Sequence, residues 1–304
     1  MRLHRVVSLL TVLASPLFAQ SGPSLLITPA QLNADLHDTR LVVLYVGTRE
    51  DYNAGHIPGA RFIGMEDVAV DPRLGGLSLE LPDDADLRQR LERFGISDNS
   101  KIVIAFGAGY KSPSTRIAWT LQVAGLGPQT RYLDGGTNAW KGAGLPLTTA
   151  EPGPATPGKL TLAADRSVVV DYRWVQAHAK SPGVRLIDGR TPMFFEGPGM
   201  ESQGRRHEAG HIAGAKNIPF NTLADDSGRF LPVEVLRARF AAAGVQPGDT
   251  VVAYCHVGQQ ATVVLFSARI LGHSIRLYDG SMDDWETRKL PLENATAPKP
   301  PKDQ

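Results

Sequence analysis

Val251-Val252-Ala253-Tyr254-Cys255-His256-Val257-Gly258-Gln259-Gln260-Ala261 is the stretch from which the architecture of this 304-residue chain is read. An apolar, β-prone run ends at Cys255, and a short loop with Gly258 and two glutamines follows. Ala261-Thr262-Val263-Val264-Leu265-Phe266 then opens an apolar stretch of helical length that reaches Gly272. The pattern predicts strand, tight loop, helix. Cys255 is the only cysteine. Between a strand end and a helix start, its sulfur would meet a cradle of backbone N–H groups and the positive end of a helix dipole, a setting that favours the nucleophilic thiolate. Packing is the alternative role, because a free cysteine behaves as a small hydrophobe.

Hydrophobic residues make up 42% of the chain, and 32 basic residues balance 31 acidic ones. That balance lacks the footprint of a nucleic-acid or polyanion binder and points to small solutes or protein partners. The length fits two domains of about 150 residues, each able to bury a core.

Residues 1–19 read as a secretory signal. Met1-Arg2-Leu3-His4-Arg5 supplies the charge, Val6 to Leu13 the apolar run, and Ala14-Ser15-Pro16-Leu17-Phe18-Ala19 the small-residue end. The run is too short to span a bilayer. Cleavage is expected after Ala19, although Leu17 is larger than the residue preferred at its position. The mature chain is then periplasmic or secreted, with no stable membrane insertion. In an oxidising compartment a single cysteine has no internal partner, so the thiol is reactive or pairs between molecules.

The rest of the chain contains one unit twice. The first copy, 24–148, has the β-rich run Leu41 to Val46, then Gly55-His56-Ile57-Pro58-Gly59-Ala60, a helix pattern near Asp86 to Phe94, the apolar run Ile102 to Phe106, Asp134-Gly135-Gly136 and Trp140. The second, 166–292, repeats the order with Val184 to Asp188, Gly210-His211-Ile212-Ala213-Gly214-Ala215, a helix pattern from Val233 to Ala243, Val251 to Cys255, Asp279-Gly280 and Trp285. Asp134 to Trp140 and Asp279 to Trp285 span the same six positions, so the chain is an internal duplication. Residues 149–165 read as a linker, and 293–304, rich in proline, as a disordered tail. Thr28 before Pro29, and Asp171, read as N-caps. Short apolar strands alternating with helices indicate an α/β fold, each half a parallel sheet with helices on both faces and its site at the carboxyl ends of the strands.

The paired Gly-His-Ile-x-Gly-Ala boxes, Asp188-Gly189-Arg190 at a strand end, the six-residue loop Cys255 to Gln260, and Tyr278-Asp279-Gly280-Ser281 before Trp285 resemble the rhodanese family of sulfurtransferases in its two-domain form. The resemblance runs from about Leu25 to Leu292. It implies that Cys255 takes a sulfane sulfur from a donor, holds it as a persulfide and passes it to a thiophilic acceptor, cyanide or a thiol. The backbone of His256, Val257, Gly258, Gln259, Gln260 and Ala261 would stabilise the anions, and Arg190 would bind the donor or else only brace the loop against Asp188. No metal or cofactor is implied. His56, His211, Trp140 and Trp285 read as structural. In the first half, Phe106 stands at the place of Cys255, and Tyr45 and Gly47 at those of Asp188 and Arg190. That half also carries four more residues between Phe106 and Trp140 than separate Cys255 from Trp285, read as a longer loop. These losses imply an inactive first domain within a two-domain protein that resembles thiosulfate sulfurtransferase in type; a second chemistry around Tyr110 and Lys111 is the alternative.

Thiosulfate is the expected donor, although relatives using it commonly carry basic residues in a loop that here has only His256. A 3-mercaptopyruvate sulfurtransferase would resemble Cys-Gly-Ser-Gly-Val with a second arginine after the Asp-x-Arg, and Pro192 to Gly197 contains none. A cysteine phosphatase needs arginine six positions after the nucleophile, where Ala261 stands. A persulfide carrier of the cell envelope, delivering sulfur to a protein acceptor through the insertion between Arg190 and His211, is the non-enzymatic reading.

Overall fold

Local chemistry starts the helices where the sequence predicts. Thr28 and Gln31 exchange backbone bonds in a capping box before Pro29, and the Asp171 carboxylate accepts from the N–H of Trp174. Caps of this kind contribute about 1 kcal/mol each. The computed structural model describes residues 24–293 apart from 72, 74, 75, 197–199, 203, 204, 208 and 209. The leader, the Gly197-Pro198-Gly199 turn and residues 294–304 lie outside the described residues.

The first half runs β1 (Leu26–Ile27), α1 (Pro29–Asp35), β2 (Leu41–Val46), α2 (Arg49–Ala54), β3 (Arg61–Phe62), α3 (Asp84–Glu92), β4 (Lys101–Phe106), α4 (Lys111–Val123), β5 (Thr130–Leu133) and α5 (Gly136–Gly142). The second runs β6 (Val169–Val170), α6 (Tyr172–His178), β7 (Val184–Asp188), α7 (Pro192–Phe195), β8 (Met200–Ser202), β9 (Arg205–His207), β10 (Lys216–Asn217), α8 (Val233–Ala242), β11 (Thr250–Tyr254), α9 (Ala261–Ile270), β12 (Ser274–Tyr278) and α10 (Ser281–Thr287). Two five-stranded parallel sheets result, ordered β1-β5-β4-β2-β3 and β6-β12-β11-β7-β10, the same order twice.

Register makes the repeat quantitative. Val103 lies opposite Arg131 as Val252 lies opposite Arg276, and Tyr45 opposite Ala105 as Asp188 lies opposite Tyr254. Phe106 therefore occupies the place of Cys255, Tyr45 that of Asp188 and Gly47 that of Arg190, as expected. The tryptophans close each unit alike: Trp140 Nε1–H donates to Pro146 O at 2.9 Å and Trp285 Nε1–H to Pro291 O at 3.1 Å. His56 and His211 stack on Tyr52 and Phe195, with centroids 3.8 Å apart in both cases.

Two expectations differ from the structure, the longer loop and the start of the tail, and two further segments carry more structure than the pattern shows. The extra residues after Phe106 do not lengthen the loop: Gly107 to Tyr110 is shorter than Cys255 to Gln260, whereas α4 has 13 residues against 10 in α9 and a longer turn follows it. Helical propensity continued the first helix where Gly272 stops the second. Glu293 is not yet tail, because it pairs antiparallel with His211 through two backbone bonds of 2.8 Å. The insertion between Arg190 and His211 contains β8 and β9, paired antiparallel. The linker is docked: Gly158 N–H donates to Glu92 O, Leu160 N–H to the Glu92 carboxylate, and Leu160 is buried.

The core falls into three clusters. One lies under α1, α2 and α5, and one under α6, α7 and α10. The third is shared, taking Leu87 and Leu91 of α3, Ile117 and Leu121 of α4, Leu236 and Phe240 of α8, and Val263 to Phe266 of α9 together with both sheets' inner faces. Tyr132 of the first half, stacked on Phe106, meets Phe230 and Phe266 of the second in this layer.

The Lys111 ammonium sits 3.6 Å from the centre of the Phe230 ring, and its Nζ is buried without a hydrogen-bond partner. Burial pushes its pKa down from the ordinary 10.5 to about 8, against the opposing pull of Asp134 and Asp225. Above about 8 the folded chain releases a proton that the unfolded chain keeps until 10.5, so this group makes stability rise with pH across that window. Lys111→Met is expected to remove the rise. Urea midpoints of parent and variant, compared from about pH 7 to about pH 10, check it; curves that stay parallel would exclude the Lys111 charge as its cause.

Candidate active site

Cys255 continues β11 by one residue and is 0% exposed, inside the shared core. Its backbone is held on both sides. The N–H donates to Ser281 Oγ at 3.1 Å, Ser281 Oγ–H donates to Tyr278 O at 2.9 Å, and the Cys255 carbonyl accepts from the N–H of Met282 at 3.1 Å. Ser281 reaches this position with φ +50°, a left-handed conformation that costs a non-glycine residue on the order of 1 kcal/mol or more. The equivalent residue of the first half is Gly136, with φ +55° and no hydroxyl.

The six residues after Cys255 build an anion cradle. Among the described residues, the backbone N–H groups of Val257, Gly258, Gln259, Gln260 and Ala261 donate to no acceptor in the chain. Gln260 precedes α9 with helical φ and ψ and gives it no side-chain cap, while the next two N–H groups, of Thr262 and Val263, donate to Gln259 O and Gln260 O. Unsatisfied N–H groups at a helix N-terminus attract negative charge. Gly258 makes the loop possible: it has φ +74°, and a Cβ there would lie 2.6 Å from Asp279 O and 2.9 Å from Arg116 Nη1.

The remaining loop side chains point to different neighbours. His256, half-buried, meets Phe194 edge-on at 4.5 Å, and its carbonyl accepts from the Asp283 N–H. Gln259 Nε2–H donates to Ser112 Oγ of α4 at 3.3 Å. Gln259 O accepts from Thr262 Oγ1–H at 2.6 Å, and the Thr262 hydroxyl lies 2.8 Å from that of Thr115. Ala261 is buried, and the Cα of Gly189 packs so closely on it that a Cβ at 189 would lie 3.3 Å from the Ala261 Cα.

Arg190 and Asp188 are both 0% exposed and form a forked pair. Nε–H and Nη2–H donate to the carboxylate at 3.0 and 2.6 Å, and Nη2–H also donates to Gly210 O at 2.8 Å. The guanidinium thus ties the end of β7 to the Gly210 turn. Only Nη1 has no hydrogen-bond partner among the described residues. A buried ion pair is costly to desolvate and is retained where its geometry is complete, as here on the Asp188 side.

Two contributors escaped sequence reasoning. Ser281 stood inside a recognised motif, but its bond to Cys255 depends on a backbone conformation that residue type does not announce. Arg116 of α4, 1% exposed, crosses from the first domain: Nη1–H donates to Gly258 O at 3.0 Å and to Asp279 Oδ1 at 2.5 Å, and Nη2–H to Leu79 O at 2.6 Å. A lone arginine in the apolar run Thr115 to Leu121 was the available signal. Beside this network, a cavity of about 660 Å³ opens between Ser78 and Trp174, with Asp279 and Gly280 in its wall. Cys255 does not line it.

The family described as Rhodanese-like domain matches residues 28–143 and 171–288, one match on each sheet. The "Probable 3-mercaptopyruvate sulfurtransferase" of Pseudomonas aeruginosa is 36% identical over 86% of this chain and 95% of its own length. The thiosulfate sulfurtransferase of Rattus norvegicus is 28% identical over 80% of this chain and 81% of its own. Among solved structures, the complex of EanB/C412S with hercynine superposes with a TM-score of 0.79 at 18% identity, covering 90% of this chain and 70% of that one, which is a likeness of fold. With both sheets matched and the thiol at the strand end where the repeat puts it, the chain belongs to the rhodanese family of sulfurtransferases and carries two rhodanese-like domains in tandem.

Proposed function

We propose that the chain transfers a sulfane sulfur from thiosulfate to a thiophilic acceptor through a persulfide on Cys255. The observation that carries this reading is the lone thiol beneath a row of unsatisfied N–H groups at the start of an uncapped helix. The Cys255 thiolate attacks the outer sulfur of thiosulfate. The bond between the two thiosulfate sulfurs breaks, and its electron pair leaves with sulfite. Cyanide or a thiolate then attacks the terminal persulfide sulfur, the disulfide bond breaks, and Cys255 departs as thiolate. Thiolate and persulfide are both anions, so N–H donors fixed by the fold stabilise each without reorganising. Cys255 is fully buried, so the groups covering the thiol must part before a donor reaches it. Arg190 braces the β7 end in this scheme, with Nη1 the one nitrogen left for a donor anion.

A second donor, 3-mercaptopyruvate, is favoured by the 36% identity to the Pseudomonas aeruginosa relative. There the thiolate would take sulfur from carbon, and the thiol proton would pass to the carbon to give pyruvate. The first domain, with Phe106 in place of the thiol, contributes walls and no nucleophile. The chain is further proposed to act outside the cytoplasm after cleavage following Ala19, and terminal sequencing of exported protein should then begin at Gln20.

Purified protein, reduced beforehand, is expected to gain one sulfur in mass from thiosulfate and to form thiocyanate on adding cyanide. Sulfur gained from 3-mercaptopyruvate alone, with pyruvate released, would replace the thiosulfate assignment by the second. Cys255→Ser should abolish loading from either donor. Gly258→Ala forces a Cβ against Asp279 O at φ +74° and is expected to cut turnover at least ~100-fold, the loss typical of one displaced oxyanion donor. Wild-type turnover in Gly258→Ala would show that the loop conformation is not what activates the thiol.

A further inference from the structure

Arg116 lies in the domain that has no thiol, yet its acceptors belong to the two segments that hold Cys255. One is Gly258, in the middle of the cradle; the other is Asp279, two residues before the Ser281 hydroxyl that accepts from the Cys255 N–H. A third acceptor, Leu79 O, comes from the first domain, where Leu79 itself adopts φ +59°. The guanidinium is 1% exposed and lies 4.7 Å from the centre of the Trp119 ring, so stacking and the fork together leave it one orientation.

The Gly258–Gln259 peptide is trans, so its N–H points opposite its carbonyl. With the carbonyl held toward Arg116, the Gln259 N–H faces away from the first domain, back into the loop. Rotating this peptide would turn a donor of the cradle into an acceptor facing an anion. Gly258, with positive φ and no Cβ, offers little resistance of its own to such a rotation. The restraint comes from Arg116.

We propose that Arg116 is a positioning residue for sulfur transfer: through Gly258 O and the Asp279 carboxylate, the first domain locks the persulfide-holding loop of the second in its N–H-inward conformation. The proposal rests on the sulfur-transfer reading for its kinetic consequence, but not for the structural one. Ser112, Thr115 and Thr262 add neutral contacts along the same α4–α9 seam that do not involve the guanidinium.

The test uses the full-length chain and the variants Arg116→Met, Arg116→Lys and Asp279→Asn. Two signals are read: the single-turnover rate of sulfur loading onto Cys255 across thiosulfate and 3-mercaptopyruvate concentrations, and amide hydrogen exchange of residues 256–261. Arg116→Met is expected to slow loading at saturating donor by ~10–100-fold, the scale of a small misplacement in an active site, with the half-saturating concentration changed less than about threefold. Exchange in 256–261 should quicken while the β4 and β11 amides keep their protection. Arg116→Lys, which can hold one acceptor but not the fork, should recover part of both signals, and Asp279→Asn should move both in the same direction. Unchanged exchange in 256–261, or loading at the parental rate, would overturn the positioning role. If the parent protein loads from neither donor while Arg116→Met still loosens the loop, the sulfur-transfer reading fails and the lock stands. If Arg116→Met does not fold, parental loading and exchange in Asp279→Asn and Arg116→Lys overturn the lock.

Discussion

The two domains do not each own a complete core. Every sheet here has helices on both faces, but α3 and α4 on one side, and α8 and α9 on the other, bury their apolar surfaces in a single common layer. At about 25 cal/mol per Å² of apolar area buried, such a layer outweighs any single polar contact across the seam. It fixes α4 against α9 at close range. Everything the first domain does for Cys255 follows from that closeness, because the helix that begins at the end of the cradle is the one pressed against its counterpart.

Two buried guanidiniums illustrate how differently one residue type is used. Arg190 spends most of its fork on a carboxylate two residues away in its own strand end, so it stiffens a turn. Arg116 spends its fork on three distant segments, two of them through main-chain carbonyls. A carbonyl cannot be exchanged by mutation, so the second arrangement constrains backbone direction in two segments, whereas the first does so in one, at Gly210 O. In a site made of N–H groups, backbone direction decides the chemistry.

Much of this organisation is legible in the amino-acid sequence, because the relevant forces are local or periodic. Thr28 and Asp171 cap helices through contacts three residues long, and the alternation of apolar runs gives the sheets their parallel order. The duplication, once aligned, assigned Phe106, Tyr45 and Gly47 to places that strand register then reproduces. The cradle was legible in part, since a helix start leaves its first N–H groups without partners inside the helix, although the turn after β4 pairs those of Gly107 and Tyr110. What could not be read depends on distance or on competing conformations. Arg116 meets partners 142 and 163 positions away, which no window of sequence contains. The extra residues of the first half were counted correctly but misplaced, because count alone does not distinguish a longer helix from a longer loop. Arg190 beside Asp188 was open between pairing and substrate binding, as a two-residue spacing permits both.

The shared layer also bears on how a duplicated chain varies. The place that holds the thiol in one copy holds in the other a ring stacked on Tyr132 in the common core. Truncating that ring would leave a void in a layer that both copies line, so a change in one copy is felt by the other. A chain built this way varies as one unit, because neither copy can be loosened without loosening the fold that carries its twin.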